Sequence, residues 1–442
     1  MKTNTEFKRD ISIDRCRGVE LLLLIVFETI WEIFKGTNVS NYLDHSPDIF
    51  TLSSGVITKT RGFYLAPNIK FADVGAVGYI FLISLTIVQS YKRRLQKDGE
   101  EKTYKKMCSR YVYMIAIGSI LSLLKIAYDE IIYIWPAYIF AILFILFIIL
   151  FIFYLLFKDA RLKQWMHYTM LAIGFYAIIY NSLNTIFLCF GLTEKYFGFW
   201  GVLQHIGIAG LITIFTMHKL KNNDTINRFF VGIIILLIFT FFHETTLPFL
   251  AKNTLITSNI KLLDIMSDGG IIGGFAYGGL LLICTSVSDI YNLSKKKYFI
   301  VSLIFLIICI ITTIYIRKSF VALDGSDNLF TAGFSKHLTP NKGSISPTYL
   351  LYTITLQQIL FILIILFKNV NVKFDILKYV GKNPIIMYIY SLLIIRIFVL
   401  LNKYIINTFI STHILILEVV FIILSAIGLL VYLDKKDIIF KI

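Results

Sequence analysis

Residues 299–316 read FIVSLIFLIICIITTIYI and residues 139–156 read IFAILFILFIILFIFYLL, two runs of eighteen without one charged side chain. A helix rises ~1.5 Å per residue, so each run spans about 27 Å, close to the hydrocarbon thickness of a bilayer. In lipid an unpaired backbone N–H or C=O is costly, and a helix pairs these groups within its own segment. The two runs therefore set the expectation for the chain: α-helices that cross a membrane.

Comparable runs recur over all 442 residues. The expected spans are roughly 18–35, 71–91, 108–126, 134–157, 166–190, 200–218, 229–250, 268–290, 298–316, 346–367, 380–401 and 412–433. This predicts an all-α polytopic membrane protein of about twelve helices, 1–442 forming one domain with both termini cytoplasmic. Composition points the same way: 57% of residues are hydrophobic, 16% are charged, and the mean hydropathy is +0.76. The polar connections at 35–70 and 317–344 are too short for a soluble domain. No internal repeat is visible.

The formal charge of +16 could suggest nucleic acid, but the basic residues fall between the apolar runs. With the N-terminus inside, about 29 of the 43 Lys and Arg face the cytoplasm. The densest group is Lys92, Arg93, Arg94, Lys97, Lys102, Lys105, Lys106 and Arg110. Charge therefore reads as topology, with membrane lipid as the partner and no nucleic acid. Glu20, Glu28 and Glu32 interrupt the first run and no small-residue cleavage pattern follows, so it is not expected to be a cleaved signal peptide. Five scattered cysteines, Cys16, Cys108, Cys189, Cys284 and Cys309, suggest neither disulfides nor a metal site.

An ionisable side chain inside a span is a functional candidate by default. Glu28 and Glu32 share a helical face near the expected outer end of the first span, and Asp73 opens the second from the same side. The three could share one cavity. His45, His205, His243, His337 and His413 also fall outside, His243 directly before Glu244. Imidazole with a carboxylate suits proton transfer at neutral pH, as acyl transfer to a hydroxyl or amine requires. Interfacial histidines can equally sit at headgroup level. His167 and His218, at inner helix ends, are assigned structural roles, and Glu20 is expected to pair with Arg17. On the inner side, Asp14-Arg15-Cys16-Arg17-Gly18 and Gly381-Lys382-Asn383-Pro384 each present cations beside a helix start. That arrangement can hold phosphate, and it also serves as positive-inside anchoring. Of the 38 Phe and 26 Tyr, most are expected in interfacial belts.

Several segments, taken in order, resemble the transmembrane acyltransferases typified by heparan-α-glucosaminide N-acetyltransferase, a family with many bacterial members. Ser12-Ile13-Asp14-Arg15-Cys16-Arg17-Gly18 resembles the family's S-x-D-x-x-R-G start of the first core helix. Phe71-Ala72-Asp73-Val74-Gly75-Ala76 with Phe81-Leu82-Ile83 resembles the second. Gly201-Val202-Leu203-Gln204-His205-Ile206-Gly207 is similar to G-V-L-Q-R-I-G, and Asp268-Gly269-Gly270-Ile271 to a D-P-E-G helix start. Pro340-Asn341-Lys342, Ser346-Pro347-Thr348-Tyr349 and Gly381-Lys382-Asn383-Pro384-Ile385 to Tyr388 complete the series. There are departures. An extra pair of spans lies between roughly 108 and 190, added to about ten core helices. Phe63 stands where the family carries its active histidine, Glu28 aligns with a family Asn, His205 replaces Arg, and Val77 stands where Pro is common.

The resemblance implies transfer of an acetyl or short acyl group from cytoplasmic acyl-CoA, a co-substrate rather than a bound cofactor, to a sugar hydroxyl or amine. The saccharide acceptor would belong to an exported glycan or cell-envelope component, and the protein to the plasma membrane. On this expectation His45, Glu28 and Asp73 are catalytic; Asp14, Arg17, Lys382 and Asn383 bind the acyl donor; Gln204, His205, His243, Asp268 and His337 line the acceptor side or channel. No metal is expected, and self-association stays open. A proton-coupled transporter or flippase for an envelope precursor, or a catalytically inactive relative, would use the same polar residues differently.

Overall fold

The computed structural model describes residues 10–35, 39, 64–66, 69–70, 74–130, 160–189, 201–220, 224–241, 273–323, 342, 345–367, 375–402 and 412–436, with a few positions between 142 and 153. These are helical apart from a short antiparallel ribbon, β1 (Tyr64–Ala66) against β2 (Ile69–Lys70), which buries Ile69. The helices are α1 (Ile11–Ile33), α2 (Gly75–Asp98), α3 (Glu100–Glu130), α4 (Ala160–Cys189), α5 (Val202–Lys219) and α6 (Thr225–Phe241). They continue with α7 (Gly273–Leu293), α8 (Lys295–Leu323), α9 (Pro347–Leu366), α10 (Ile376–Lys382), α11 (Pro384–Leu401) and α12 (Thr412–Lys435).

Local chemistry sets several of the boundaries. Asp10 caps α1, its Oδ1 accepting from the Ser12 N–H at 2.9 Å. Because the cap lies at Asp10, α1 begins well before the expected residue 18, and Asp14, Arg15 and Arg17 lie within its first two turns. Ser346 caps α9 by accepting from the Tyr349 N–H at 3.2 Å, with Pro347 at the first helical position. Gly99 turns the chain between α2 and α3 at φ 81°, a left-handed value that suits glycine.

The expected single span at 380–401 is instead a bent pair, α10 and α11 meeting at 93°. Pro384 has no N–H to continue a helix, and Asn383 takes φ −126°, ψ 55°. Asp375 starts α10 by accepting from the Lys378 N–H at 3.2 Å and binds Arg15 Nε at 2.7 Å. The helices touch backbone to backbone: a Cβ on Gly381 would overlap the Asp14 carbonyl, and one on Gly18 would overlap that of Leu377.

Two helices organise the bundle. α7 packs against α2, α5, α6 and α8 and is buried over most of its length; α1 packs against α2, α9, α10, α11 and α12. The side-chain links at one end run from Asp10 to Tyr291, Arg15 to Asp375 and Lys382 to Asp434. Glu32–Arg396 and Asn402–Glu418 mark the other end. The first and last described residues therefore lie at the same end.

Among the described residues four helices, α7, α8, α9 and α12, are long and apolar enough to cross a membrane, and the bent α10–α11 pair makes five. α8 shows what such a helix faces: Phe299, Leu303, Ile307, Ile311 and Ile314 are exposed along it. Apolar surface on that scale is stable against lipid. α1 falls outside this class because Asp14, Arg15, Arg17, Glu20, Glu28 and Glu32 lie along it, of which Asp14, Glu20 and Glu32 are buried.

Candidate functional site

α2 presents Tyr79, Leu82, Thr86, Ser90 and Arg94 along one face, three or four residues apart, and this stripe forms one wall of a cavity of about 300 Å³. From Tyr79 to Arg94 the wall runs roughly 22 Å along the helix axis. α3 adds Met107, Arg110, Tyr111 and Met114; α5 adds Val202, Leu203 and Ile206. Arg17 of α1, Lys382 of α10, and Asn383, Pro384 and Tyr388 at the break and along α11 close the remaining side. The break in the α10–α11 pair thus belongs to the cavity wall.

Charge is distributed unevenly. Arg17, Arg94, Arg110 and Lys382 line the cavity, and among the described residues no carboxylate does. Arg17 donates to Thr86 Oγ1 at 3.0 Å and lies 3.4 Å from Asp14, while Lys382 is bound to Asp434. Arg94 and Arg110 have no carboxylate partner among the described residues, and the Arg110 Nε is buried without an acceptor. Besides these cations the walls include Leu82, Ile83, Met114, Leu203 and Ile206, with Tyr79 and Tyr388 among them. The cavity has a cationic mouth and a largely apolar interior. An anion with a long, mostly neutral arm fits that polarity, because planar guanidinium groups bind phosphate oxygens in pairs and the apolar walls cover the arm.

Three of the four expected donor-binding residues, Arg17, Lys382 and Asn383, are together in this wall, and Asp14 is buried just behind Arg17. Glu28 is half-buried on α1, within electrostatic reach of Tyr79 and Tyr388. Gln204 instead turns to its own helix start, its Oε1 accepting from the Gly201 N–H at 3.1 Å, and packs against Gly118. His205 is buried with its ring 5.2 Å from that of Tyr277. His45, Asp73, His243, Asp268 and His337 lie outside the described residues. Among the described residues no group of three or more His, Cys, Asp or Glu could hold a metal ion.

Two expected pairings are corrected. Glu20 does not pair with Arg17, because Asp14 and Thr86 hold the guanidinium while the Glu20 carboxyl takes a hydrogen bond from Gln357. Glu32, expected to share a cavity with Glu28 and Asp73, accepts from both terminal nitrogens of Arg396, at 2.8 and 3.3 Å. It fastens α11 to α1. His167 and His218 stack on tyrosines, at 4.5 Å from Tyr113 and 4.3 Å from Tyr104.

Arg94 and Arg110 escaped the sequence reading because they belong to a run of eight basic residues that already explained topology. Their identity was the usable signal: where charge alone is needed Lys suffices, whereas Arg suits paired contacts to phosphate. No protein-family model matches this sequence, and no curated protein matches it.

Proposed function

We propose that this chain is a plasma-membrane acyltransferase, with about twelve spans and both ends in the cytoplasm, that moves an acetyl or short acyl group from cytoplasmic acyl-CoA to a saccharide hydroxyl or amine on the far side. The observation that carries this reading is the polarity of the cavity: Arg94 and Arg110, without a carboxylate partner among the described residues, at the mouth, Arg17 and Lys382 beside them, and an apolar passage beyond. The phosphates of the donor would be held by the arginines, and the acyl arm would extend along the Leu82, Met114 and Ile206 walls toward Tyr79 and Tyr388. In the reaction the thioester C–S bond breaks and a C–O or C–N bond forms to the acceptor. The acceptor proton passes to His45, oriented by Glu28 and Asp73, and ends on the departing thiolate. His243, Asp268 and His337 are assigned to the acceptor side with Gln204 and His205, the last two supporting the helix that walls the cavity.

The test is transfer of radiolabel from acetyl-CoA to membrane glycans in inside-out vesicles. Loss of a charge-assisted hydrogen bond costs about 1.5–3 kcal/mol, so Arg94→Ala and Arg110→Ala should each raise KM for acetyl-CoA about tenfold or more, with a smaller change in kcat. His45→Ala and Glu28→Gln should abolish label. Wild-type transfer that none of these changes affects would remove the site assignment. No wild-type transfer from acetyl-CoA or longer donors would favour the transporter or inactive-relative reading.

A further inference from the structure

Glu20 lies nine residues into α1, roughly 13 Å along the axis from Ile11, and is 6% exposed. Of the other buried carboxylates described, Asp14 faces Arg17, Asp289 faces Arg228 and Glu32 faces Arg396, while Glu418 accepts from Asn402 near the start of α12. Among the described residues Glu20 has no cation. Its hydrogen-bond partner is the Gln357 side chain of α9.

The three helices around it leave space for this one contact. A Cβ on Gly78 of α2 would come 2.5 Å from Glu20 Oε2 and 2.8 Å from Gln357 Nε2, so both side chains occupy the volume left by the glycine. Gln357 Nε2 is directed at the carboxyl, but Gln357 Oε1 is buried without a donor among the described residues. The hydroxyl of Tyr79, next in sequence to Gly78, is also buried without a partner. An ionised carboxylate only accepts. The neutral acid can accept from the amide N–H and also donate, either to the amide oxygen or to the phenol. The acid form supplies the donor that the Gln357 amide oxygen lacks, while the phenol can pair with either form.

The charged and titratable neighbours among the described residues add no cation. Cys16 lies one turn earlier on α1, Tyr79 comes from α2, and beyond Tyr79 stand Tyr388 of α11 and Glu28 of α1. Tyr79 also lines the cavity, and it is within electrostatic reach of Glu20. We propose that Glu20 is a proton-binding site in the middle of the bundle, which exchanges its proton with the cavity past the Tyr79 hydroxyl. When the proton leaves, the Glu20 O–H bond breaks as Tyr79 accepts it and gives its own proton to water in the cavity; Tyr79 stays neutral and Glu20 becomes a carboxylate. The ligand is a proton rather than a metal cation, since Gln357 directs a donor at the carboxyl.

The measurement is infrared difference spectroscopy of the full chain in lipid bilayers, titrated between about pH 5 and 9 and exchanged into D₂O. The expected result is a protonated-carboxyl C=O band that Glu20→Gln removes, that Gln357→Leu shifts, and that moves on deuteration. Tyr79→Phe should keep the band and slow its exchange at least about tenfold. Because Gln357→Leu leaves Glu20 in place, the assignment stays testable should Glu20→Gln fail to fold. No Glu20-dependent band at any pH, a band abolished by Na⁺ at constant pH, or exchange unchanged in Tyr79→Phe would each overturn the proposal. No acyl donor is used, so this outcome and that of the transfer assay are independent.

Discussion

Arg94 and Arg110 carry the same charge as the lysines around them, and what separates them is where the helix turns them: into a cavity lined by no carboxylate among the described residues. A helical stripe of Tyr79, Leu82, Thr86, Ser90 and Arg94 can be counted out in the sequence, yet nothing in one sequence says which face of α2 meets a void and which meets another helix. Arg17, Lys382 and Asn383 could be picked out because each sits beside a helix start with a Gly or Pro next to it. Glu20 was misread for a related reason: spacing alone offers Arg17, but tertiary packing brings Gln357. Outside the expected membrane region the chemistry is simpler. Asp98 accepts from Lys106 Nζ at 2.8 Å, and that bond, with Lys102 and Lys97 nearby, holds its carboxyl below the ordinary 3.8. A depressed value in the folded chain means the pair contributes stability above about pH 3.8 and loses it as the pH falls through the lower folded value. Lys106→Ala should raise the Asp98 titration midpoint toward 3.8, read from its side-chain carboxyl carbon-13 shift in detergent; an unmoved midpoint would reject the pair as the cause.

Among the elements, α6 and α7 show how close packing and charge combine. Gly232 and Gly279 let the two backbones approach until a Cβ on either would come within 2.6 to 2.8 Å of the other's carbonyl oxygen. Near the same helix ends the fully buried Arg228 binds Asp289, which also accepts from Thr225 Oγ1 at 2.8 Å. Removing one member of a buried ion pair strands the other, so Arg228→Leu should lower stability by about 3–5 kcal/mol, whereas Arg228→Leu with Asp289→Leu should lose much less. Unfolding in mixed micelles measures both; equal losses would mean the ion pair is not the source. Helix existence was largely legible here, since apolar runs at 298–316, 346–367 and 412–433 become α8, α9 and α12 with small shifts. The 93° bend between α10 and α11 was not. Pro384 announces a break, but the turn angle depends on α1, whose Gly18 admits α10 at backbone distance.

At the scale of the molecule, the contacts that join Asp10 to Tyr291 and Lys382 to Asp434 put both described chain ends on one side of the bundle. Tags placed before Met1 and after Ile442 should therefore show the same protease sensitivity in sealed vesicles, and opposite sensitivity would contradict this arrangement. The same geometry has a consequence for how the protein is made. Arg15 and Asp375 stand 360 positions apart, and the cationic mouth needs both α1 and the α10–α11 break. At synthesis rates of about 5–20 residues per second, α1 leaves the ribosome roughly 20 to 70 s before its partner. During that interval Arg15, Glu20 and Glu32 have neither Asp375, Gln357 nor Arg396 to meet them. A helix with six charged side chains is thus the first of the described helices to be translated and among the last to be completed, so the insertion machinery must shelter it from the bilayer until the final helices arrive.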